Sequence, residues 1–164
     1  MAKKRVYVET SVISYLTARP SSKPISRLRQ QITAVWWEYR NRWELFISPT
    51  VNWEMQRGDR DAAQKRVEAA IGLPLLVETE EVRALAFRLF ADDFFPEKAY
   101  ADAFHVANTA VHGMDYLVTW NKTHLLNEKN VKKLEKLYET IRKQGYKPAE
   151  LIRPDTLLEK KDGP

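Results

Sequence analysis

Residues Arg5-Val6-Tyr7-Val8 form a short apolar run that stops at the polar triplet Glu9-Thr10-Ser11, before a second apolar run over 12–16. This pattern predicts a buried strand that passes directly into a helix. After a turn-rich break at 20–24, Leu28, Ile32, Val35, Trp36, Tyr39 and Trp43 recur at helical spacing, predicting a helix that turns this stripe to the core. Leu45-Phe46-Ile47 reads as a second strand. Ser48-Pro49 then opens a helix, with a hydroxyl able to cap and a proline where no N–H bond is lost. That helix carries Glu54 and is expected to end near Gly58; another follows over 60–71, closed by Gly72 and Pro74. Residues 75–77 read as a short connecting strand, and Thr79 as the cap of a helix with Glu80 and Glu81 in its first turn. A loop over 92–96 leads to a helix over 99–111 with Gly113 as its stop. Residues 116–119 read as a third main strand delivering Asn121 just past its end. A charged amphipathic helix is expected over 128–144, and an edge strand over 150–153 before Pro154.

Strands separated by helical stretches imply an α/β fold with a central, mainly parallel sheet and helices on both faces. The 164 residues, 44% of them hydrophobic, suit one compact domain and one core, placed at 1–159 with a frayed tail at 160–164. Without cysteine there is neither a disulfide framework nor a thiolate metal site, and the cytoplasm is the expected compartment. The basic N-terminus imitates the start of a signal peptide, but Glu9 interrupts the apolar stretch that would have to follow. No run approaches the ~18 uninterrupted apolar residues of a membrane span, so no membrane role is expected. A net charge of +5, with much of the excess over 129–147, favours a polyanionic partner.

In open parallel sheets ligands bind beyond the carboxyl ends of the strands. Glu9 and Asn121 hold that position, Glu54 follows the second strand by one to two helical turns, and Asp102 lies near the start of the helix that leads to the third. Carboxylates gathered in this way repel each other unless a divalent cation neutralises them, and hard oxygen ligands suit Mg²⁺ or Mn²⁺. Such an ion generates hydroxide from water and stabilises the charge that develops during in-line attack on a phosphodiester. Neither a serine nor a histidine nucleophile is then required.

At these residues the sequence resembles the PIN-domain nucleases, and more closely the VapC-type toxins of toxin–antitoxin pairs. The likeness runs through Glu9 with Thr10 and Ser11 in VYVETSV, Glu54 in SPTVNWEM, Asp102 in YADAFHVANTA and Asn121 in YLVTWNKTHL, and continues through GYKPAELIRPDTLL. It implies a three-layer α/β/α PIN-like domain and an endoribonuclease in which Glu9, Glu54, Asp102 and Asn121 hold Mg²⁺ or Mn²⁺. It also implies an RNA substrate, a partner antitoxin and a homodimer. Two positions depart from the family pattern. The first acid is Glu where the family has Asp, reaching one methylene further; the fourth is Asn where Asp is common, which keeps a carbonyl ligand and removes a charge. A looser second metal, or none, is the expected consequence.

Thr10 and Ser11 read either as helix caps or as groups whose hydroxyl or amide touches a metal-bound water or a phosphate. His105 falls three residues after Asp102 and could act as a base or ligand, but a structural histidine is the expectation; with three histidines and no zinc spacing, a histidine-driven ribonuclease is disfavoured. Trp36 and Trp43 read as core, whereas Trp53 and Trp120 each precede a proposed ligand and are candidates for stacking on RNA bases. Asp92, Asp93 and Asp115 read as loop acids, with Asp93 or Asp115 near a pocket rim. The Lys-rich face of the 128–144 helix reads either as a solvated surface or as a track for the phosphate backbone. One alternative keeps the fold and drops the chemistry: an RNA-binding or scaffold protein with a degenerate site. A receiver-type phosphoacceptor ranks low, because its strand-end Asp and its Lys have no counterpart here.

Overall fold

The computed structural model describes residues 2–161. Strands β1 (Arg5–Val8), β2 (Glu44–Phe46), β3 (Tyr116–Val118) and β4 (Glu150–Ile152) form one sheet in the order β2-β1-β3-β4, and every pairing is parallel. Val6, Tyr7 and Val8 are all fully buried, as are Leu117 and Val118. That burial on both faces explains why β1 and β3 read as continuous apolar runs and not as alternating ones. The β1–β3 junction is where the strand order reverses, so a crevice opens there beyond the carboxyl ends of both strands.

Helices flank the sheet. They are α1 (Thr10–Thr17), α2 (Pro24–Glu38), α3 (Pro49–Met55), α4 (Arg60–Ala69), α5 (Glu80–Ala91), α6 (Tyr100–Val111), α7 (Val131–Lys143) and α8 (Pro154–Glu159). Hydroxyl and carboxyl caps start several of them: Ser48 for α3, Asp59 for α4 and Thr79 for α5 each accept a backbone N–H. Gly113, at φ +65°, takes the left-handed conformation that ends α6 and turns the chain into β3.

Several expectations change. The α2 stripe splits: Thr33 and Trp36 form the buried face, while Leu28, Val35 and Tyr39 are exposed. Trp43 lies beyond α2, after a 3₁₀ turn at Arg40–Arg42, yet its ring stacks on Trp36 at 5.9 Å, so both tryptophans are core residues. Residues 75–77 are not a strand, because their only ladder contact is a single Ile47–Leu75 bridge before Thr79 starts α5. Helix α7 begins at Val131, where the Asn130 side chain accepts the N–H of Lys133, and not at 128. The proline read as a strand stop, Pro154, opens α8, with Leu157 fully buried. Lys160, expected in a frayed tail, is the C-cap of α8, and its carbonyl accepts from Arg42; 162–164 lie outside the described residues. Among the described residues no helix is long and apolar enough to cross a membrane.

Candidate metal centre

Glu9 ends β1 and is itself the N-cap of α1, so Thr10 and Ser11 belong to the helix and are not its caps. Its carboxylate is 4% exposed and takes three donors. Ser11 gives its N–H (2.7 Å) and its hydroxyl (2.6 Å), and the Thr119 hydroxyl gives a third bond at 2.5 Å. Both hydroxyls also accept from the chain that follows β3, Ser11 Oγ from Trp120 N and Thr119 Oγ1 from Asn121 N, each at 2.9 Å. The ends of β1 and β3 are thus sewn together around one carboxylate.

Glu54 sits in the last turn of α3 and reaches the same edge. Its Oε1 accepts from Thr10 Oγ1 (2.7 Å) and lies 2.6 Å from His105 Nε2. The Thr10 and Ser11 hydroxyls thus each donate to a protein carboxylate. Burial works against the charge on Glu54, but the hydrogen bond and charge of His105, with Thr10 and Arg57, outweigh it and hold its pKa below the ordinary value.

Asp102 lies in the first turn of α6 and is largely buried. Burial, joined by the charges of Glu9 and Glu54, pushes its pKa up to about 6 against the pull of His105 and Asn121. Asn121 donates its Nδ2 to Asp102 Oδ2 at 3.3 Å, while its Oδ1 accepts the N–H of His124 at 3.0 Å. The amide oxygen, expected to ligate through its carbonyl, here closes the turn after β3, and the amide N–H₂ faces the acids.

His105 was expected to be structural, and it is fully buried, but it lies inside the cluster. Burial alone would lower its pKa; the hydrogen bond and charge of Glu54, with the charges of Glu9 and Asp102, outweigh this and raise it. Among the described residues Glu9, Glu54 and His105 offer ligand atoms that lie within 4.8 Å of one another; Asp102 stands outside that tight set, coupled to it through its charge.

Two solved structures share this architecture. VapC20 of Mycobacterium tuberculosis, described as a toxin that cleaves the sarcin-ricin loop, is matched with a TM-score of 0.55 and 18% identity, over 73% of this chain and 92% of that one. VapBC2 of Rickettsia felis, bound to a DNA fragment from its promoter, is matched with a TM-score of 0.53 and 11% identity, over 91% and 98%. The chain has the PIN-like fold of VapC proteins. At these identities the likeness is one of fold. No family model matches the sequence, and no curated protein does.

Within the PIN-like fold the remaining candidates divide. Trp120 is buried at 4% exposure, gives its indole N–H to Thr33 at 2.8 Å and has the guanidinium groups of Arg29 and Arg153 each 5.7 Å from its ring, so it is not free to stack on a base. Trp53 is 55% exposed, with the Arg57 guanidinium 4.6 Å from its ring. Asp115 binds the N–H of Arg5 at the amino ends of the strands, the edge opposite the acids, so it cannot line their rim. Thr119 went unnoticed in the sequence because it reads as the last residue of a buried strand. Its place two residues before Asn121, at the same strand end as Glu9, was the available signal.

Proposed function

We propose that the protein is a divalent-metal-dependent endoribonuclease, the toxin of a toxin–antitoxin pair. The observation that carries this reading is the convergence of Glu9, Glu54 and Asp102, from β1, α3 and α6, at the carboxyl edge of a parallel sheet. The donor chemistry fits Mg²⁺ or Mn²⁺: oxygen ligands predominate, and burial, joined by the charges of Glu9 and Glu54, raises Asp102 to about 6, a cost of ionisation that a divalent cation relieves. When bound, such an ion supplies a hydroxide nucleophile at neutral pH and stabilises charge on the phosphate under attack.

The chain's own residues supply order. Ser11 and Thr119 fix Glu9, Thr10 and His105 fix Glu54, and Asn121 fixes Asp102, so the carboxylates need little rearrangement to act together. Trp53, exposed beside Glu54, offers a surface for an RNA base, and the exposed lysines of α7 offer phosphate contacts. The description of VapC20 as a toxin that cleaves the sarcin-ricin loop supports an RNA substrate, and the VapBC2 complex supports an antitoxin partner; a homodimer, a cytoplasmic setting and a single domain over 1–159 complete the proposal. Sedimentation of the isolated protein checks the dimer.

The test is cleavage of single-stranded RNA by purified protein with Mn²⁺, Mg²⁺ or EDTA. Cleavage that needs the metal and disappears in Asp102→Asn from the same preparation supports the enzyme, and the variant excludes a contaminating ribonuclease. A second reading, an RNA-binding scaffold, is favoured by the Asn121 amide, whose oxygen is already engaged by His124. Binding of RNA without metal-dependent cleavage would select it.

A further inference from the structure

The site contains an imidazole that a metal could use, and its hydrogen bonds show what it does instead. His105 Nδ1 lies 2.7 Å from the Tyr7 hydroxyl, which lies 2.7 Å from Ser48 Oγ, and all three side chains are buried. Ser48 caps α3 by accepting the N–H of Val51, so its own proton is free to go to Tyr7. Tyr7 then gives its proton to His105 Nδ1, which leaves the ring proton on Nε2, donated to Glu54 Oε1 at 2.6 Å. Run in this direction, every donor in the chain meets an acceptor. Run the other way, Nδ1 carries the only ring proton and Nε2 presses a lone pair against a carboxylate oxygen at hydrogen-bond distance. A doubly protonated ring still carries the proton on Nε2, so the conclusion does not depend on the charge of His105.

Thr10 gives a second hydrogen bond to the same Oε1. Two donors occupy that oxygen, and no protein hydrogen bond to Oε2 is found among the described residues. We propose that His105 is a positioning residue: its Nε2–H and the Thr10 hydroxyl clamp Glu54 Oε1 so that Oε2 alone faces the cation, and the imidazole is not a ligand. The chain Ser48–Tyr7–His105–Glu54 also joins both ends of α3 to β1, two residues before Glu9, and so sets the spacing between the two glutamates. This inference rests on the metal-dependent reading of the site.

The experiment combines three measurements on the full chain. Long-range ¹H–¹⁵N spectra of the imidazole in the metal-free protein are expected to show Nε2 protonated; an unprotonated Nε2 overturns the proposal. Electron spin-echo spectra of the Mn²⁺ complex are expected to lack a directly bonded nitrogen, and the coupling of a coordinated imidazole overturns it. Calorimetry should show His105→Ala binding Mn²⁺ at least tenfold more weakly than the parent. His105→Gln, whose amide can donate to Glu54 and accept from Tyr7, should stay within about threefold. Equal weakening of the two variants, or of neither, overturns the proposal. Tyr7→Phe, which keeps the ring volume and breaks only the relay, should weaken binding severalfold, and serves if His105→Ala fails to fold. Parent protein that binds Mn²⁺ but leaves RNA intact refutes the nuclease reading alone. Parent protein that binds no Mn²⁺ refutes both the metal reading and the role assigned to Oε2, while the ring spectrum still decides whether His105 holds Glu54.

Discussion

Burial first, and the charges of Glu9 and Glu54 after it, oppose the ionisation of Asp102, and its pKa of about 6 against an ordinary 3.8 makes that opposition measurable. The folded protein holds this proton more tightly than the unfolded chain does, so stability falls as pH rises from about 4 to about 6 and is flat above. At about 1.4 kcal/mol per unit the penalty is on the order of 3 kcal/mol for the metal-free protein at neutral pH. Of the two neighbours of Asp102, Glu54 acts in the opposite sense and His105 in the same one. The lowered pKa of Glu54 gives stability that is present above its unfolded value and lost as pH falls through its folded one; the raised pKa of His105 gives stability that is present below its unfolded value and lost as pH rises through its folded one. Asp102→Asn isolates the first effect. Differential scanning calorimetry in EDTA should find the variant melting above the parent by roughly 5 °C or more at pH 7.5, with the gap closing below pH 4. Saturating Mn²⁺ should raise the melting temperature of the parent and leave the variant where it was. The same substitution should lower RNA cleavage by at least about 100-fold, so stability and activity move in opposite directions at one residue.

The elements divide by what determines them. Strands β1 and β3 are legible because a strand buried on both faces must be apolar throughout, and the caps Ser48 and Thr79 are legible because a hydroxyl before a helical run has few other uses. Helix α2 shows where periodicity misleads. Its apolar residues mark two neighbouring stripes, and contacts with α1 and α8 select the one through Thr33 and Trp36. Helix α8 escaped notice because Pro154 both ends a strand and opens a helix, and no local signal separates the two. Its packing is testable: Leu157→Ala, which empties a fully buried position between α8 and the core, should cost about 2–5 kcal/mol in urea unfolding. The cleavage rate per folded molecule should not change, since α8 contributes no side chain to the acid cluster. The candidate site was legible in the same uneven way. Acids and an amide placed after strands are conspicuous, whereas the part played by Thr119, Tyr7 and Ser48 depends on which hydroxyl meets which carboxylate or ring, and that is decided only when β1, β3, α3 and α6 pack together.

At the scale of the whole molecule, a chain of net charge +5 that places three carboxylates at one sheet edge needs cationic surface nearby if a polyanion is to approach. The topology supplies it. Helix α7 returns the chain from the carboxyl end of β3 to the amino end of β4, so its first turns start on the edge where Glu9, Glu54 and Asp102 meet. Lys132, Lys133 and Lys136 lie in those turns and are exposed, and none of them is engaged in an ion pair among the described residues. Each phosphate neutralised on single-stranded RNA contributes about −0.7 to the slope of log K against log salt. Replacing the three lysines with glutamine should therefore make the slope shallower by about 2, read from fluorescence anisotropy of a labelled RNA bound to the Asp102→Asn protein between about 50 and 300 mM salt. The melting temperature should stay the same, because solvated lysines at these positions contribute little to the fold. A slope that does not change would mean that α7 faces water in the complex, and that RNA approaches the acids from the α3 side, past Trp53.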